Sequence, residues 1–262
     1  MAYVNFNGLI DRFTQQIYQS RKGRLRMHLI DALYRQYLPV EQLGTMRVLD
    51  AGGGLGQMSH WFLSQGASVD YFDIASAMVE TVAANFAPAI AQGQLTVAEH
   101  SITEAVYPPV YDLVNVHAVL EWLDDPYDSL KSVLQWVKPG GYVGLMVYNK
   151  HLLMLRHMMR GTLSRAMNGD IGGDRTGLTP ISPLDPNEVR HLLTAAGFEL
   201  LCQAGVRTFS DLAEKTIIDW YQETDQFAAE LALCEQRPYC DLGRYVLFIA
   251  RRPELNSAQG PE

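Results

Sequence analysis

Arg47-Val48-Leu49-Asp50-Ala51-Gly52-Gly53-Gly54-Leu55-Gly56-Gln57 joins a short apolar run to an acid and then to a glycine-rich turn. The residues that follow, Met58 to Ser64, carry a helical pattern. A buried parallel strand that ends in a tight loop and re-enters a helix has this form. Glycine lets the backbone take positive φ and lets a ligand lie against bare peptide. The helix start adds free N–H groups and the positive end of a dipole. The stretch therefore predicts an α/β fold holding a nucleotide-like or carboxylate-bearing ligand at the end of its first strand.

A dinucleotide fingerprint requires G-x-G-x-x-G before the helix. Here Gln57 and Ser59 occupy the third glycine position in the two available registers, and the acid two residues before the glycines is foreign to that pattern. The order acid-x-Gly-x-Gly-x-Gly instead resembles motif I of the class I S-adenosylmethionine-dependent methyltransferases. In that family the turn lies against the methionine moiety, and the acid, here Asp50, helps order the loop and the ligand's amino group. On this motif alone, a glycine turn that binds nothing stays open. Ser68 to Asp73 reads as a second strand ending in an acid, and Asp73 is placed to accept from a ribose diol. It is equally placed to cap the next helix. The segment after it, Ile74-Ala75-Ser76-Ala77-Met78, looks like the continuation of motif II. Tyr111 to His117 runs into Ala118-Val119-Leu120-Glu121-Trp122, which resembles the segment after the fourth strand in that family. Leu134 to Gly141 resembles its helix-to-strand turn, although Pro and Gly punctuate many α/β chains in this way.

The chain has 262 residues, 48% of them hydrophobic, enough for a large core. No apolar run approaches the ~20 residues needed to span a bilayer, and Met1 to Asn7 lacks the basic flank and apolar core of a signal peptide. A cytoplasmic protein is expected. Three cysteines, Cys202, Cys234 and Cys240, have no C-x-x-C spacing and read as small buried residues. The seven histidines show no metal-ligand spacing, so no metal is predicted. The net charge of −8 argues against a nucleic-acid partner. Yet residues 11–35 and 150–175 are locally basic, through Arg12, Arg21, Lys22, Arg24, Arg26 and Arg35, and through Lys150, Arg156, Arg160, Arg165 and Arg175. These form either one positive face or ordinary solvated helix faces.

Along the chain, residues 1–40 read as a helical cap over the cleft, with Leu25, Leu29, Ala32 and Leu33 at helical spacing. Strands and helices alternate from 46 to 147, which predicts a parallel sheet covered on both faces. An insert at 149–183 interrupts them. In it Met154, Leu155, Met158 and Met159 suggest a helix whose methionines belong to a core, and a glycine-rich loop follows. A helix over 186–196, a strand from Phe198 toward Phe209 broken at Gly205, and a helix over 211–235 come next. The last strand, Gly243 to Arg252, is expected to pair antiparallel at the sheet edge. Residues 1–252 form one methyltransferase domain in this reading, with a disordered tail at 253–262.

Segments outside the glycine loop carry a closer likeness. Ile17-Tyr18, Lys22 to Arg26, Leu49 to Gly54, His117 to Trp122, Tyr148-Asn149, Asp185-Pro186, Gly205 to Arg207 and Leu242 to Tyr245 resemble the bacterial tRNA 5-carboxymethoxyuridine methyltransferases, over nearly the whole chain. That resemblance implies a class I fold with a mostly parallel seven-stranded sheet and an antiparallel last strand. It implies S-adenosylmethionine as cofactor, S-adenosylhomocysteine as product and the anticodon stem-loop of tRNA as substrate. No membrane and no obligate protein partner are implied. By position, the cofactor contacts are Arg26, Gly52, Gly53, Asp73, His117, and His100 with Ser101. Relatives carry a lysine-rich run where this chain has Gly172 to Gly177, which implies fewer phosphate contacts.

A carboxylate acceptor is ionised at neutral pH and needs no general base. It needs orientation, desolvation and a partner for its second oxygen. Arg207, Arg244 and Tyr148 are candidates for that role, with Asn149 toward the base or carboxylate and Trp122 and Tyr245 as stacking surfaces. Ion pairing of Arg207 and Arg244 with Asp211 or Asp241 is the alternative. A methyltransferase of small carboxylic acids, a non-catalytic cofactor-binding module and an NAD-dependent oxidoreductase are the rival readings.

Overall fold

A computed structural model describes residues 20–173 and 179–254. Seven strands form one sheet: β1 (Arg47–Ala51), β2 (Ser68–Asp73), β3 (Leu95–Glu99), β4 (Tyr111–His117), β5 (Val137–Tyr148), β6 (Glu199–Val206) and β7 (Tyr245–Arg251). Their order is β3-β2-β1-β4-β5-β7-β6. β1 to β5 pair parallel, and β7 runs antiparallel to both β5 and β6. Ahead of the sheet lies α1 (Arg21–Tyr37). Between the strands come α2 (Gln57–Ser64), α3 (Ser76–Asn85), α4 (Ala87–Ala91), α5 (Pro126–Gln135), α6 (Lys150–Met159), α7 (Leu163–Met167), α8 (Pro186–Ala195), α9 (Phe209–Leu212), α10 (Lys215–Ile218) and α11 (Glu223–Leu233).

Strand side chains alternate between two cores. Leu49, Val114, Val116, Leu145, Val147 and Phe248 face one of them. Val48, Leu113, Met146, Leu247 and Ile249 face the other. Leu25, Leu29, Ile30, Leu33 and Tyr34 of α1 belong to the second core. The expected cap is thus a wall of the fold, seated on the sheet by its apolar stripe and started by Ser20, whose side chain accepts from Gly23 N.

Four expectations are corrected. β7 lies inside the sheet, and β6 is the edge. Val246 to Ala250 are all buried, the mark of a strand covered on both faces, whereas β6 is only partly covered along its first half. β6 ends at Val206, passing through Gly205 unbroken. The single helix expected over 211–235 is three short ones. The chain turns out of helix at Ala213 and again before α11, which brings Asp211 to Lys22 and the Ile218 and Tyr221 carbonyls to Arg21. The methionines of α6 are only partly core: Leu152 and Leu153 are its buried residues, Met154 is half-buried against Tyr148, Leu153 and Ile171, and Met158 and Met159 are exposed. The expected tail from residue 255 onward, Ile17-Tyr18, Arg12 and Arg175 lie outside the described residues.

Tyr34 crosses from α1 to β5 above Gly144, where any Cβ would overlap its hydroxyl. Gly144→Ala is expected to lower stability by about 1–3 kcal/mol through overpacking. Tyr34→Phe in the same chain should recover part of that loss. Thermal unfolding of both single variants and the double variant measures the coupling, and strictly additive losses would show that the two residues do not meet.

Candidate active site

Strands β1, β2, β4 and β5 end on one side of the sheet, and their ends surround a single cavity. Arg26, Asp50, Gly52, Gly53, Asp73, His100, Ser101, His117, Trp122, Tyr148 and Tyr245 all line it. Asn149, Arg207 and Arg244 do not.

The glycine loop closes against β2. Gly52 N and Gly53 N both donate to Phe72 O, at 2.8 and 3.2 Å. Gly52 has φ +68°, and a Cβ there would stand 2.6 Å from Val119 Cγ2. At Gly53 it would meet the Tyr71 ring at 2.6 Å and Asp50 Oδ2 at 2.7 Å. Only bare peptide fits this approach. No side chain caps the start of α2, so its first amides stay available to a ligand.

Asp73 accepts from Gly54 N and from Ala75 N, both at 2.9 Å. A carboxylate can accept more bonds than these, which leaves capacity for a vicinal diol. Burial raises its pKa, against the pull of those amides. The cap residue of α3 is Ala75, so Asp73 serves the loop rather than the helix end. His100 packs edge-on against Phe72, and Ser101 is buried beside it.

Asp50 is buried and accepts from Ser59 Oγ at 2.6 Å and Asn115 Nδ2 at 2.8 Å. Burial raises its pKa, these bonds oppose the rise, and the charge of Asp73 adds to it. With its amide nitrogen on Asp50, Asn115 turns its oxygen to Tyr34, whose hydroxyl donates to it at 2.7 Å. The Tyr34 oxygen also lies 2.8 Å from His117 Nε2. A phenol has one proton. His117 Nε2 must therefore carry its own hydrogen and donate to Tyr34, which leaves Nδ1 as the acceptor. Burial, helped by the Arg26 charge, lowers the His117 pKa to about 3, so the ring is neutral. Arg26 Nη2 in turn donates to Gln57 Oε1 at 3.2 Å. Sequence reasoning missed Tyr34 and Asn115, because neither belongs to a motif and they meet only through the fold.

A second cluster lies behind Tyr148 and Tyr245. The Asp211 side chain is fully buried and meets four cations. Lys22 Nζ is 2.7 Å from Oδ1 and Arg207 Nη2 is 2.7 Å from Oδ2. Arg244 is bidentate, with Nε and Nη2 at 2.9 and 3.1 Å, and Arg156 Nη1 stands 3.6 Å away. The alternative of pairing with Asp211 therefore describes both Arg207 and Arg244. Four cations on one carboxylate leave a surplus of positive charge, and Arg156 Nη1 and Arg207 Nε have no hydrogen-bond partner. One cation from each basic segment of the chain meets here, Lys22 of α1 and Arg156 of α6. Other cations of these segments are tied elsewhere, Arg24 to Glu223 and Arg165 to Asp170.

Arg244 Nη1 donates to Tyr148 Oη at 2.8 Å. Arginine has no acceptor, so Tyr148 keeps its own O–H as a donor for whatever shares its cavity. Burial raises its pKa to about 12 although Arg244 opposes the rise, so that proton stays in place. Asn149 is fully buried behind the wall. Its amide donates to Asp241 O and Gly243 O, and its oxygen caps α6 through His151 N, so its polar atoms are spent on the fold. Glu230 is a further residue that the motifs did not reveal. It accepts from Thr208 N and Ser210 N, both at 2.9 Å, and holds the turn that carries Arg207 and Asp211.

A histidine kept neutral by the fold gives a testable pH dependence. Unfolded His117 takes a proton below about pH 6.5 and the folded one only near pH 3, so the unfolded state binds more protons in that window and stability falls as pH drops through it. His117→Asn is expected to flatten the decline between about pH 6.5 and 5 in denaturant titrations. Equal slopes in both proteins would show that the imidazole titrates normally.

The residues present fit S-adenosylmethionine: a side-chain-free loop, an acid with capacity for a ribose, a neutral imidazole, and Arg26 beside the loop. A family profile described as "Methyltransferase domain" matches residues 21–203. The tRNA 5-carboxymethoxyuridine methyltransferase of Escherichia coli K12 is 33% identical over 258 residues, covering 95% of this chain and 97% of the relative. A ubiquinone biosynthesis O-methyltransferase of Leptothrix cholodnii is 30% identical over 131 residues, 48% of this chain and 54% of the relative. Among solved structures, magnesium protoporphyrin IX methyltransferase from Synechocystis with bound SAH superposes with a TM-score of 0.63 at 17% identity, covering 94% of this chain and 96% of that one. This likeness establishes the fold alone. The cofactor is S-adenosylmethionine, and the chain belongs to the methyltransferases, in the family of the tRNA 5-carboxymethoxyuridine methyltransferases.

Proposed function

We propose that this chain methylates the carboxylate of 5-carboxymethoxyuridine at the wobble position of tRNA, giving the methyl ester. The observation that carries the anionic substrate is the cation surplus around Asp211, coupled to the cavity through Arg244 and Tyr148. Buried positive charge without a matching anion is costly, so the cluster favours a second anion nearby. In this reading the Tyr148 O–H donates to one carboxylate oxygen, and Arg244 holds the Tyr148 oxygen in place.

When bound, S-adenosylmethionine supplies an electrophilic methyl carbon on a sulfonium. The loop of Gly52 and Gly53, with Arg26, Asp73, His100, Ser101 and His117, holds it at the strand ends. An ionised carboxylate needs no proton removed, so the protein's tasks are orientation and exclusion of water. Trp122 and Tyr245 give the flipped base aromatic surface. Asp50 orders the loop through Ser59 and Asn115. The whole-protein context is cytoplasmic, with the anticodon stem-loop as partner. Among the described residues no helix is long and apolar enough to cross a membrane, and no cluster of histidines, cysteines and acids could hold a metal.

The first test is methyl transfer from labelled S-adenosylmethionine to bulk tRNA from cells lacking this protein. Label that enters tRNA and leaves under mild base is the expected ester. Label confined to a small-molecule extract would select the rival metabolite methyltransferase, which the net charge of −8 favours. Tyr148→Phe and Arg207→Ala should each cut kcat/KM by about a hundredfold or more, as loss of an oriented donor or cation does. Cofactor affinity should stay near its original value. Equal loss of turnover and cofactor affinity would remove both residues from the substrate side.

A further inference from the structure

Glu121 follows β4 in the short turn Leu120–Trp122 and lies in the wall of the same cavity as Tyr148. Its side chain is 1% exposed, yet Oε2 has no hydrogen-bond partner. Its backbone is fixed from the other side, where Ser182 N donates to Glu121 O at 2.9 Å. The amides of Glu121 and Tyr148 favour the charged carboxyl and must do so through Oε1, since Oε2 is unpartnered. An unpartnered buried oxygen on a residue that lines a ligand cavity calls for a partner.

We propose that Glu121 determines substrate specificity as a neutral acid, donating its Oε2 proton to an acceptor oxygen of the methyl-accepting nucleoside. The inference rests on the carboxylate-methylation reading above. Charge supports it. A cavity that receives a substrate carboxylate would be opposed by a second carboxylate in its wall, whereas a neutral acid adds a donor and no repulsion. The titratable groups sharing the cavity are Arg26 of α1, Asp50 and Asp73 at the ends of β1 and β2, His100 after β3, His117 of β4, Tyr148 of β5 and Tyr245 of β7. Burial alone raises the Glu121 pKa, to about 8, with only backbone amides opposing it. The acid form therefore prevails at neutral pH, as for carboxylic acids that serve as donors in apolar sites.

The experiment compares the wild type, Glu121→Gln and Glu121→Leu in tRNA methylation between about pH 6.5 and 9.5, reading kcat/KM, which reports the free enzyme. Calorimetric cofactor Kd and Tm accompany each variant. The wild type should lose kcat/KM above about pH 8. Leucine should lose about tenfold or more at neutral pH with cofactor Kd unchanged. Glutamine keeps a donor and an acceptor but does not titrate. It should recover most of what leucine loses, and the alkaline fall should vanish. An alkaline fall shared by wild type and Gln would overturn the proposal, because it would belong to the substrate. So would a Leu variant that turns over like wild type, or one whose cofactor Kd rises in step with its lost turnover. If Leu does not fold, the Gln pH profile still decides. No label in tRNA from the wild type would overturn the functional reading itself, and this inference with it. Turnover by wild type with any of the adverse variant results overturns this inference alone.

Discussion

The buried chain from Asp50 through Asn115 and Tyr34 to His117 is the interaction on which the cavity depends. It joins β1, β4 and α1, elements separated by up to 83 positions in sequence. Each bond dictates the direction of the next, since an amide and a phenol have fixed numbers of protons. A carboxylate at one end therefore sets an imidazole tautomer at the other. The same chain seats α1 on the sheet, and α1 carries Arg26, Met27 and Ile30 into the cavity wall. Losing any member would leave buried polar atoms unpaired, which costs more than the bond itself contributes.

The cavity is electrically divided. Asp50 and Asp73 lie at the glycine-loop end, and the Asp211 cluster with its cations lies behind Tyr148 and Tyr245. A sulfonium and a carboxylate suit these two ends. Their reaction turns one positive and one negative charge into two neutral products. A water-poor site favours that direction, because it penalises separated charge and is indifferent to neutral products. The protein need not supply a base.

Much of the cofactor half was legible in the sequence because its signals are local. Gly52 and Gly53 follow a strand and precede a helix, and Asp73, His100 and His117 each end a strand or follow one directly. The alternating apolar residues of β1, β4 and β5 also show their two faces without a structure. The order of β6 and β7 was legible too, since Val246 to Ala250 is a continuous apolar run, the mark of a strand covered on both faces. The Asp211 cluster was less open to reading. Lys22, Arg156, Arg207 and Arg244 come from four distant segments, and nothing local says that they share one acid. Glu121 stands inside a recognised motif, yet its burial and its free oxygen are properties of packing. The break of the 211–235 helix has the same origin, because ion pairs of Asp211 and carbonyl contacts of Arg21 override helical propensity.

Among the described residues, two other than glycine adopt left-handed backbone, Ala118 with φ 58° and Arg207 with φ 63°. Each stands one residue beyond a strand, β4 or β6. An L-residue there costs on the order of 1–2 kcal/mol, and glycine would relieve it. At Arg207 glycine would also remove a cation from Asp211, so the side chain is kept and the turn is held from outside. Arg244 N donates to Arg207 O at 3.1 Å, and the Glu230 carboxylate accepts from the amides of Thr208 and Ser210. At Ala118, the N–H donates to Met146 O, which extends the ladder with β5 one step before the chain turns away. Strain at strand ends beside a ligand cavity is a recurrent sign that surrounding contacts enforce a geometry. Here the two turns have parallel effects: one ends β4 sharply enough that His117 and Glu121 both reach the cavity, and the other ends β6 so that Arg207 meets Asp211 in the cluster behind it.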